Sequence, residues 1–197
     1  MKQSFQSNLQ LAKTWAAQSQ SFAKGPSMLF HFQTLYSYGE HFELAKFVKA
    51  PKGETVVFVN DNFYSMTTLK HLNIALSVIP NDVFCFTIPF SMGHSGWQRT
   101  DYFKISDLQQ VISRMKNKVA SILKTQSKAR KDKTHFDYAL RQIDQINLIC
   151  NLFDLPLIDR ESILYYKEAK DKVNKINGKQ IDKGAEIINS LYDYFGG

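Results

Sequence analysis

The chain has little cysteine and no long apolar run. Of its 197 residues, only Cys85 and Cys150 are cysteines. Each stands alone in an apolar stretch, where a cysteine usually packs as a small buried hydrophobe. No segment approaches the ~18 apolar residues of a membrane span, and the N-terminal stretch lacks the apolar core of a signal peptide. The sequence therefore supports neither a disulfide framework nor a membrane protein, and we expect the chain to work in the cytoplasm.

Motifs for metal binding and nucleophilic catalysis are also missing. His31, His41, His71 and His94 lie in the first half of the chain, but none has the close spacing of a common zinc motif, and no cysteine pair assists them. The segment from residue 93 to 96 departs by one residue from the Gly-x-Ser-x-Gly spacing of a serine nucleophile elbow. We therefore predict no metal and no cofactor.

Positive charge is in excess. The chain has 25 lysine and arginine residues against 18 acidic ones, which gives a net charge of +7. Such an excess favours anionic partners, among them nucleic acid. The local concentration comprises Arg114, Lys116, Lys118, Lys124, Lys128, Arg130, Lys131 and Lys133. Lysines beside an apolar stripe are also the usual solvated face of a helix, so this segment predicts either a phosphate-facing surface or a solvated face.

The first half of the chain mixes helical and strand patterns. Residues 4 to 22 keep helical spacing in a Gln- and Ser-rich stretch, which predicts an amphipathic helix that packs on the body or serves as an interaction arm. Three antiparallel strands are predicted next, the first over residues 27 to 38, with turns at Gly39 and at residues 51 to 53. A short capped helix over residues 67 to 79 and a fourth strand, buried on both faces, complete this half.

The second half has the pattern of helices only. A sustained apolar stripe begins near residue 106, and further helices are predicted at about residues 134 to 153, 160 to 177 and 180 to 195. We expect three regions, an N-terminal helix or arm (1–25), an α+β sheet core (26–105) and a helical region (106–197). The predicted fold class is α+β, a small antiparallel β-sheet with one packed helix followed by a helical C-terminal half.

Two stretches of the first half carry the candidate site residues. "YSYGEHFELA" begins at Tyr36, and "NDNFYSMTTLKH" begins at Asn60. Hydroxyls and backbone N–H groups at the start of the short helix, together with the positive end of its dipole, favour an anion. If the turn at Gly39 lies nearby, the site gains a phenol and an imidazole. The candidate residues are Tyr38, His41, Ser65, Thr67, Thr68 and His71.

Three interpretations of these residues stay open. Serine and threonine at a helix start are commonly caps, and an aromatic stretch is commonly a turn packed into the core. The second interpretation is binding of an anion or nucleic acid. The third is catalysis, in which His41 and His71 act as base and acid and cleave RNA without a metal.

The two stretches together give the pattern YSYGxHFxLA, then Asn60, then YSxTTxxH ending at His71. This pattern, which covers less than a third of the chain, resembles one in small uncharacterised proteins of bacteriophages and other mobile elements. The resemblance implies a phage or mobile-element setting, and hence the host cytoplasm or the virion.

We therefore expect an accessory protein that binds nucleic acid or a host nucleoprotein, in an anti-defence, genome-handling or virion-associated role. The alternatives are a metal-independent nuclease that uses His41 and His71, and a structural or protein-interaction protein without nucleic-acid contact. The sequence leaves the oligomeric state open.

Overall fold

The chain divides into two compact units. A computed structural model describes residues 3–40, 42–61, 65–88, 105–128 and 134–160. The units are Met1–Ile105 and Ser106–Gly197. In the first unit, seven strands form one sheet whose order follows the chain. They are β1 (Gln3–Ser4), β2 (Phe22–Lys24), β3 (Met28–His31), β4 (Thr34–Ser37), β5 (Glu43–Lys49), β6 (Thr55–Asn60) and β7 (Phe84–Ile88).

The sheet is mixed. Neighbouring strands from β2 to β6 are antiparallel, whereas β1 is parallel to β2 and β6 is parallel to β7. Between β6 and β7 lies helix α2 (Met66–Val78), and a parallel pair requires a crossover of this kind. The predicted α+β class is confirmed. The sheet is larger than expected, it is not purely antiparallel, and two helices pack on it instead of one.

Tight turns divide the antiparallel strands. The segment 27–38, predicted as one strand, forms both β3 and β4, which are joined by a two-residue loop in which Phe32 has a φ of 49°. The predicted turns at Gly39 and at residues 51 to 53 are confirmed. Gly39 and Gly53 have φ values of 126° and 97°, which lie in the region that favours glycine. The turn at Phe32 escaped prediction because no glycine marks it.

Helix α1 (Asn8–Ala16) is shorter than the predicted helix over residues 4 to 22. Residues at both ends of that stretch instead pair as strands β1 and β2. Ser7 caps α1, since its Oγ accepts a hydrogen bond from the Leu9 N–H at 3.2 Å. The predicted helix over residues 67 to 79 is confirmed as α2, and Ser65 caps it.

Both helices of the first unit cover the same face of the sheet. Trp15 of α1 is fully buried there; its Nε1 donates to the Gln33 carbonyl at 2.9 Å, and its ring centroid lies 4.7 Å from that of Phe47. The buried residues of this core are Leu11, Ala12, Trp15, Ala23, Met28, Phe30, Leu35, Phe42, Leu44, Ala45, Phe47, Val57, Val59, Leu72 and Ala75. The N-terminal helix thus packs on the body of the first unit.

The strand predicted to be buried on both faces is β7, and that burial prediction is wrong. Phe84, Cys85 and Thr87 are exposed, while Phe86 and Ile88 are buried. In the described sheet, β7 is the last strand in the order, and a strand at the end of a sheet has fewer elements packed against it. The apolar composition of the segment did not reveal this position.

The second unit contains α3 (Ile105–Lys128) and α4 (Thr134–Leu152), which confirms the helices predicted from residue 106 and over residues 134 to 153. Each buries an apolar stripe, with Met115 and Val119 on α3 and Ile143 and Ile146 on α4 fully buried. Apart from residue 160, the helices predicted over residues 160–177 and 180–195 lie outside the described residues. Within the described ranges, no helix combines the length and apolar character needed to cross a membrane.

Candidate functional site

The second sequence stretch ends in a buried histidine that contacts hydroxyl groups through both ring nitrogens. His71 lies on α2 and is 3% exposed. Ser37 Oγ lies 2.7 Å from its Nδ1, and Ser27 Oγ lies 2.9 Å from its Nε2. Ser37 is the last residue of β4, and Ser27 directly precedes β3. One side chain therefore connects helix α2 to strand β4 and to the residue before β3.

Asn8, at the start of α1, completes what we call the histidine cluster: Asn8, Ser27, Ser37 and His71. The Ser27 N–H donates to Asn8 Oδ1 at 3.2 Å. Because a backbone N–H can only donate, this bond fixes the orientation of the Asn8 amide. Its Nδ2 then donates to Ser27 Oγ at 2.8 Å and lies 3.4 Å from His71 Nε2. The cluster thus joins both helices to the sheet.

The amide orientation also assigns the tautomer of His71. Asn8 Nδ2 can only donate, so the Nε2 that faces it is the acceptor of a neutral imidazole. The ring proton then sits on Nδ1 and is donated to Ser37 Oγ, while the Ser27 hydroxyl donates to Nε2. Desolvation by burial lowers the pKa of His71 from its ordinary value of 6.5. The neutral form required by the hydrogen bonds is therefore also the form that burial favours.

Tyr38 packs against the histidine cluster from the solvent side. It is 59% exposed, and its ring centroid lies 5.4 Å from that of His71 at an interplanar angle of 53°. Its backbone has a φ of 56°, and its N–H donates to the Ser27 carbonyl at 2.8 Å. The sequence prediction placed Tyr38 and His71 in one site, and the fold does bring these two rings into contact.

The hydroxyl residues at the start of α2 bond to each other. Ser65 Oγ accepts from the Thr68 N–H at 3.2 Å and lies 3.2 Å from Thr68 Oγ1. Ser65 is exposed, Thr67 is half-buried, and Thr68 is only 5% exposed. These contacts are those of an N-cap. His41, the second imidazole of the proposed site, lies outside the described residues.

The predicted basic surface belongs in part to α3. Arg114 and Lys118 are both half-buried, and their spacing of four residues places them on one side of the helix. Lys124 and Lys128 belong to α3 as well, although their side chains lie outside the described residues. Arg130, Lys131 and Lys133 also lie outside them.

Sequence reasoning did not select Asn8, Ser27 or Ser37 as site residues. Asn8 and Ser27 are 19 residues apart, and Ser27 and His71 are 44 apart, so no local pattern joins them. Ser37 is a polar residue between Tyr36 and Tyr38, and the structure buries it to 1% exposure. A hydroxyl that is so buried requires a hydrogen-bond partner, and this need is the signal that could have identified Ser37. That signal becomes readable only when the strand pairing is known.

The cluster has features both of a structural network and of a reactive pair. A serine hydroxyl that donates to a neutral imidazole, with the other ring nitrogen held by a second group, is the arrangement that activates a nucleophile. Here, however, His71 is buried, and both of its ring nitrogens are already bonded within the protein. No three histidine, cysteine, aspartate or glutamate side chains are grouped to hold a metal ion in the part of the chain that is described.

Comparison of the chain with protein-family models, with curated proteins and with solved structures finds no match. Function is therefore inferred from the residues and their geometry.

Proposed function

We propose that this chain is a nucleic-acid-binding accessory protein of a phage or mobile element, which contacts phosphates through the basic side of α3. The observation that carries the proposal is the charge of that helix. From Ile105 to Lys128 it has five basic residues and one acidic residue, Asp107. Host nucleoprotein, as a complex that displays the same phosphates, is included in the proposal.

The position of the cations supports this function. The apolar stripe of α3 is buried through Val111, Met115 and Val119, and Arg114 and Lys118, each next to a stripe residue in sequence, lie at its border and are half-buried. Guanidinium and ammonium groups held on one side of a helix can neutralise neighbouring phosphates and release their counterions. The charge of the whole chain, +7, adds to the attraction over longer distances.

A salt titration tests the proposal. Fluorescence anisotropy of labelled single-stranded and duplex oligonucleotides should show a steep fall of affinity with salt. The double variant Arg114→Gln, Lys118→Gln should reduce the slope of log K against log salt by roughly 0.7 to 0.9 for each phosphate that α3 no longer neutralises.

The matched control removes the same charge elsewhere. Lys13 and Lys70 are exposed on α1 and α2, and the double variant Lys13→Gln, Lys70→Gln should keep the wild-type slope. Absence of binding at low salt would reject the proposed function. An equal reduction in both double variants would show that net charge, and not the α3 surface, determines the affinity.

The metal-independent nuclease has weaker support. Acid and base catalysis requires a proton-transferring group that reaches the substrate, and His71 is buried and bonded to two hydroxyls. The contacts of the histidine cluster favour a structural role for His71. The start of α2, with Ser65, Thr67 and Thr68, stays a prediction as an anion site.

A further inference from the structure

The sheet of the first unit has a second face, opposite to α1 and α2. Paired residues in neighbouring strands lie on the same face, and successive residues alternate between faces. Ala23, Phe30, Leu35, Ala45 and Val59 form one row of partners across the sheet, and all belong to the core under the helices. The neighbouring row therefore lies on the other face, which we call the outer face. That row comprises Phe22, His31, Thr34, Lys46, Phe58 and Phe86.

On the part of the outer face formed by β2, β3 and β4, Thr34 is buried and the aromatic strand residues are half-exposed. Phe22, His31 and Tyr36 are each of intermediate exposure. The rings of Phe22 and His31 meet edge to face with centroids 6.0 Å apart, and Phe32 stacks on His31 at 4.7 Å with an interplanar angle of 28°. Phe32 is 42% exposed, so the stack ends in a ring that is open to solvent.

The backbone of Phe32 is held in a conformation that a bulky side chain rarely adopts. Its φ of 49° lies in the left-handed region, which is unfavourable for most L-residues and is commonly occupied by glycine or asparagine. Its N–H donates to the Ser21 carbonyl at 2.6 Å, and this bond fixes the turn whatever the side chain. Turn formation alone would therefore favour glycine or asparagine, so the turn itself gives no reason for an aromatic side chain at Phe32.

Charge on the same face selects the kind of partner. The charged strand residues of the outer face between β2 and β6 are Lys24, Lys46 and Glu43, placed there by their register with Leu29, Thr34 and Tyr36. Lys24 is exposed, whereas Glu43 has a buried carboxylate oxygen, Oε2. A ligand that consists of flat apolar rings joined by anionic groups would match aromatic side chains that lie beside lysines. The exposed Lys24 provides a cation for such anionic links, which a purely apolar protein surface would not use.

We infer that the β2–β4 part of the outer face is a base-stacking platform for single-stranded nucleic acid, with Phe32, His31 and Tyr36 as stacking residues and Lys24 and Lys46 facing the backbone phosphates. The inference rests on the proposed nucleic-acid binding and names its substrate class, an unpaired strand. Bases in a duplex already stack on each other, whereas an unpaired strand offers its base faces to aromatic side chains. Three strands span about 10 Å across the sheet, which suits roughly two or three bases.

The test compares unpaired and paired probes. The probes are fluorescein-labelled oligo-dT and oligo-U of about 12 nucleotides, within the usual site sizes, and a labelled duplex of the same length. Phe32→Asn removes the terminal ring and suits the left-handed backbone. It should weaken binding of the single strands about 5- to 150-fold, leave duplex binding unchanged, and keep or raise the thermal midpoint. Tyr36→Leu, which keeps apolar volume but removes the ring, should also reduce single-strand affinity.

Leu76→Asn is the matched control. Leu76 on α2 is 45% exposed, close to the exposure of Phe32, but it is not part of the outer face, and its variant should bind like the wild type. An unchanged single-strand affinity in Phe32→Asn and Tyr36→Leu, or an equal reduction for duplex, would overturn the platform. If the α3 double variant then still weakens binding, the proposed function stands without the platform. If Phe32→Asn weakens binding and the α3 double variant does not, the platform is supported and the role of α3 is rejected.

Discussion

At His71, burial and hydrogen bonding act on the same protonation state. Desolvation disfavours the imidazolium, and the contacts to Asn8, Ser27 and Ser37 are satisfied by a neutral ring with its proton on Nδ1. A buried polar group is costly unless its partners are present. Since those partners come from α1, β4 and the residue before β3, the histidine cluster stabilises one arrangement of helices and strands against others.

His71 should make the stability of the protein depend on pH. Its folded-state pKa is lowered below the unfolded value of 6.5, so below that pH the unfolded chain binds a proton that the folded chain does not. Stability from this group is therefore complete above pH 6.5 and is lost as the pH falls from there towards the folded-state pKa. Urea denaturation between pH 7.5 and 5 should show this decrease in wild type and a smaller one in His71→Gln.

A histidine on the outer face provides the comparison. His31 is half-buried, and His31→Gln removes an imidazole without touching the histidine cluster, so the decrease in His71→Gln should also be smaller than the decrease in His31→Gln. A decrease that is just as steep in His71→Gln as in wild type would show that other groups cause it.

At the scale of elements, variants of Ser65 at the start of α2 distinguish a helix-capping role from an anion-binding role. Ser65 Oγ accepts from the Thr68 N–H, and removal of such a cap costs about 1 kcal/mol. Ser65→Ala should therefore lower the free energy of unfolding by about that amount, and Ser65→Asp should restore it, because aspartate is also a good cap and its charge suits the helix dipole.

The same pair of variants tests the anion site predicted from the sequence. With a capping role only, the nucleic-acid affinity of Ser65→Asp should stay within about twofold of wild type, since a single added surface charge is screened by salt and changes the attraction little. A stable Ser65→Asp protein with clearly weaker binding would instead assign phosphate binding to the start of α2, because the new carboxylate would repel the ligand there.

Elements with a strong local pattern were predictable from the sequence. The helical spacing of apolar residues and the hydroxyl residues before them predict α2. The sustained apolar stripe from residue 106 predicts α3. The split of residues 27 to 38 into two strands was not predictable, because the turn at Phe32 lacks glycine and asparagine. The α1 boundaries also differed, because residues 3–4 and 22–24 gain hydrogen bonds to each other as β1 and β2, and no local propensity reports such long-range pairing.

Two contacts of the candidate site were predictable from the sequence. Ser65 and Thr68 bond as their spacing suggests, and the contact of Tyr38 with His71 follows from two stretches that the sequence already singled out. Ser27 and Asn8 could be assigned to the site only once the register of β3 and the position of α1 were known. The aromatic outer face required the register of five strands, because its residues alternate with core residues and have no period of their own.

At the scale of the whole molecule, the proposed function and the proposed platform assign different kinds of interaction with one ligand class to the two units. The basic side of α3 offers charge, and the outer face of the sheet offers aromatic rings with two lysines. Charge contacts weaken as salt rises, because they depend on counterion release. Stacking contacts depend on the base faces and are far less sensitive to salt. The two contributions can therefore be separated in a single titration of binding against salt.

We expect the variants to act on different parameters of that titration with oligo-dT. Arg114→Gln with Lys118→Gln should reduce the slope of log K against log salt by about 0.7 for each phosphate that is no longer neutralised. Phe32→Asn should instead lower the affinity by a similar factor at every salt concentration and leave the slope unchanged. The combined variant should show both effects, additive in log K, because the substitutions remove different kinds of contact and share no partner. A change of slope in Phe32→Asn would mean that the ring acts through charge placement and not through stacking.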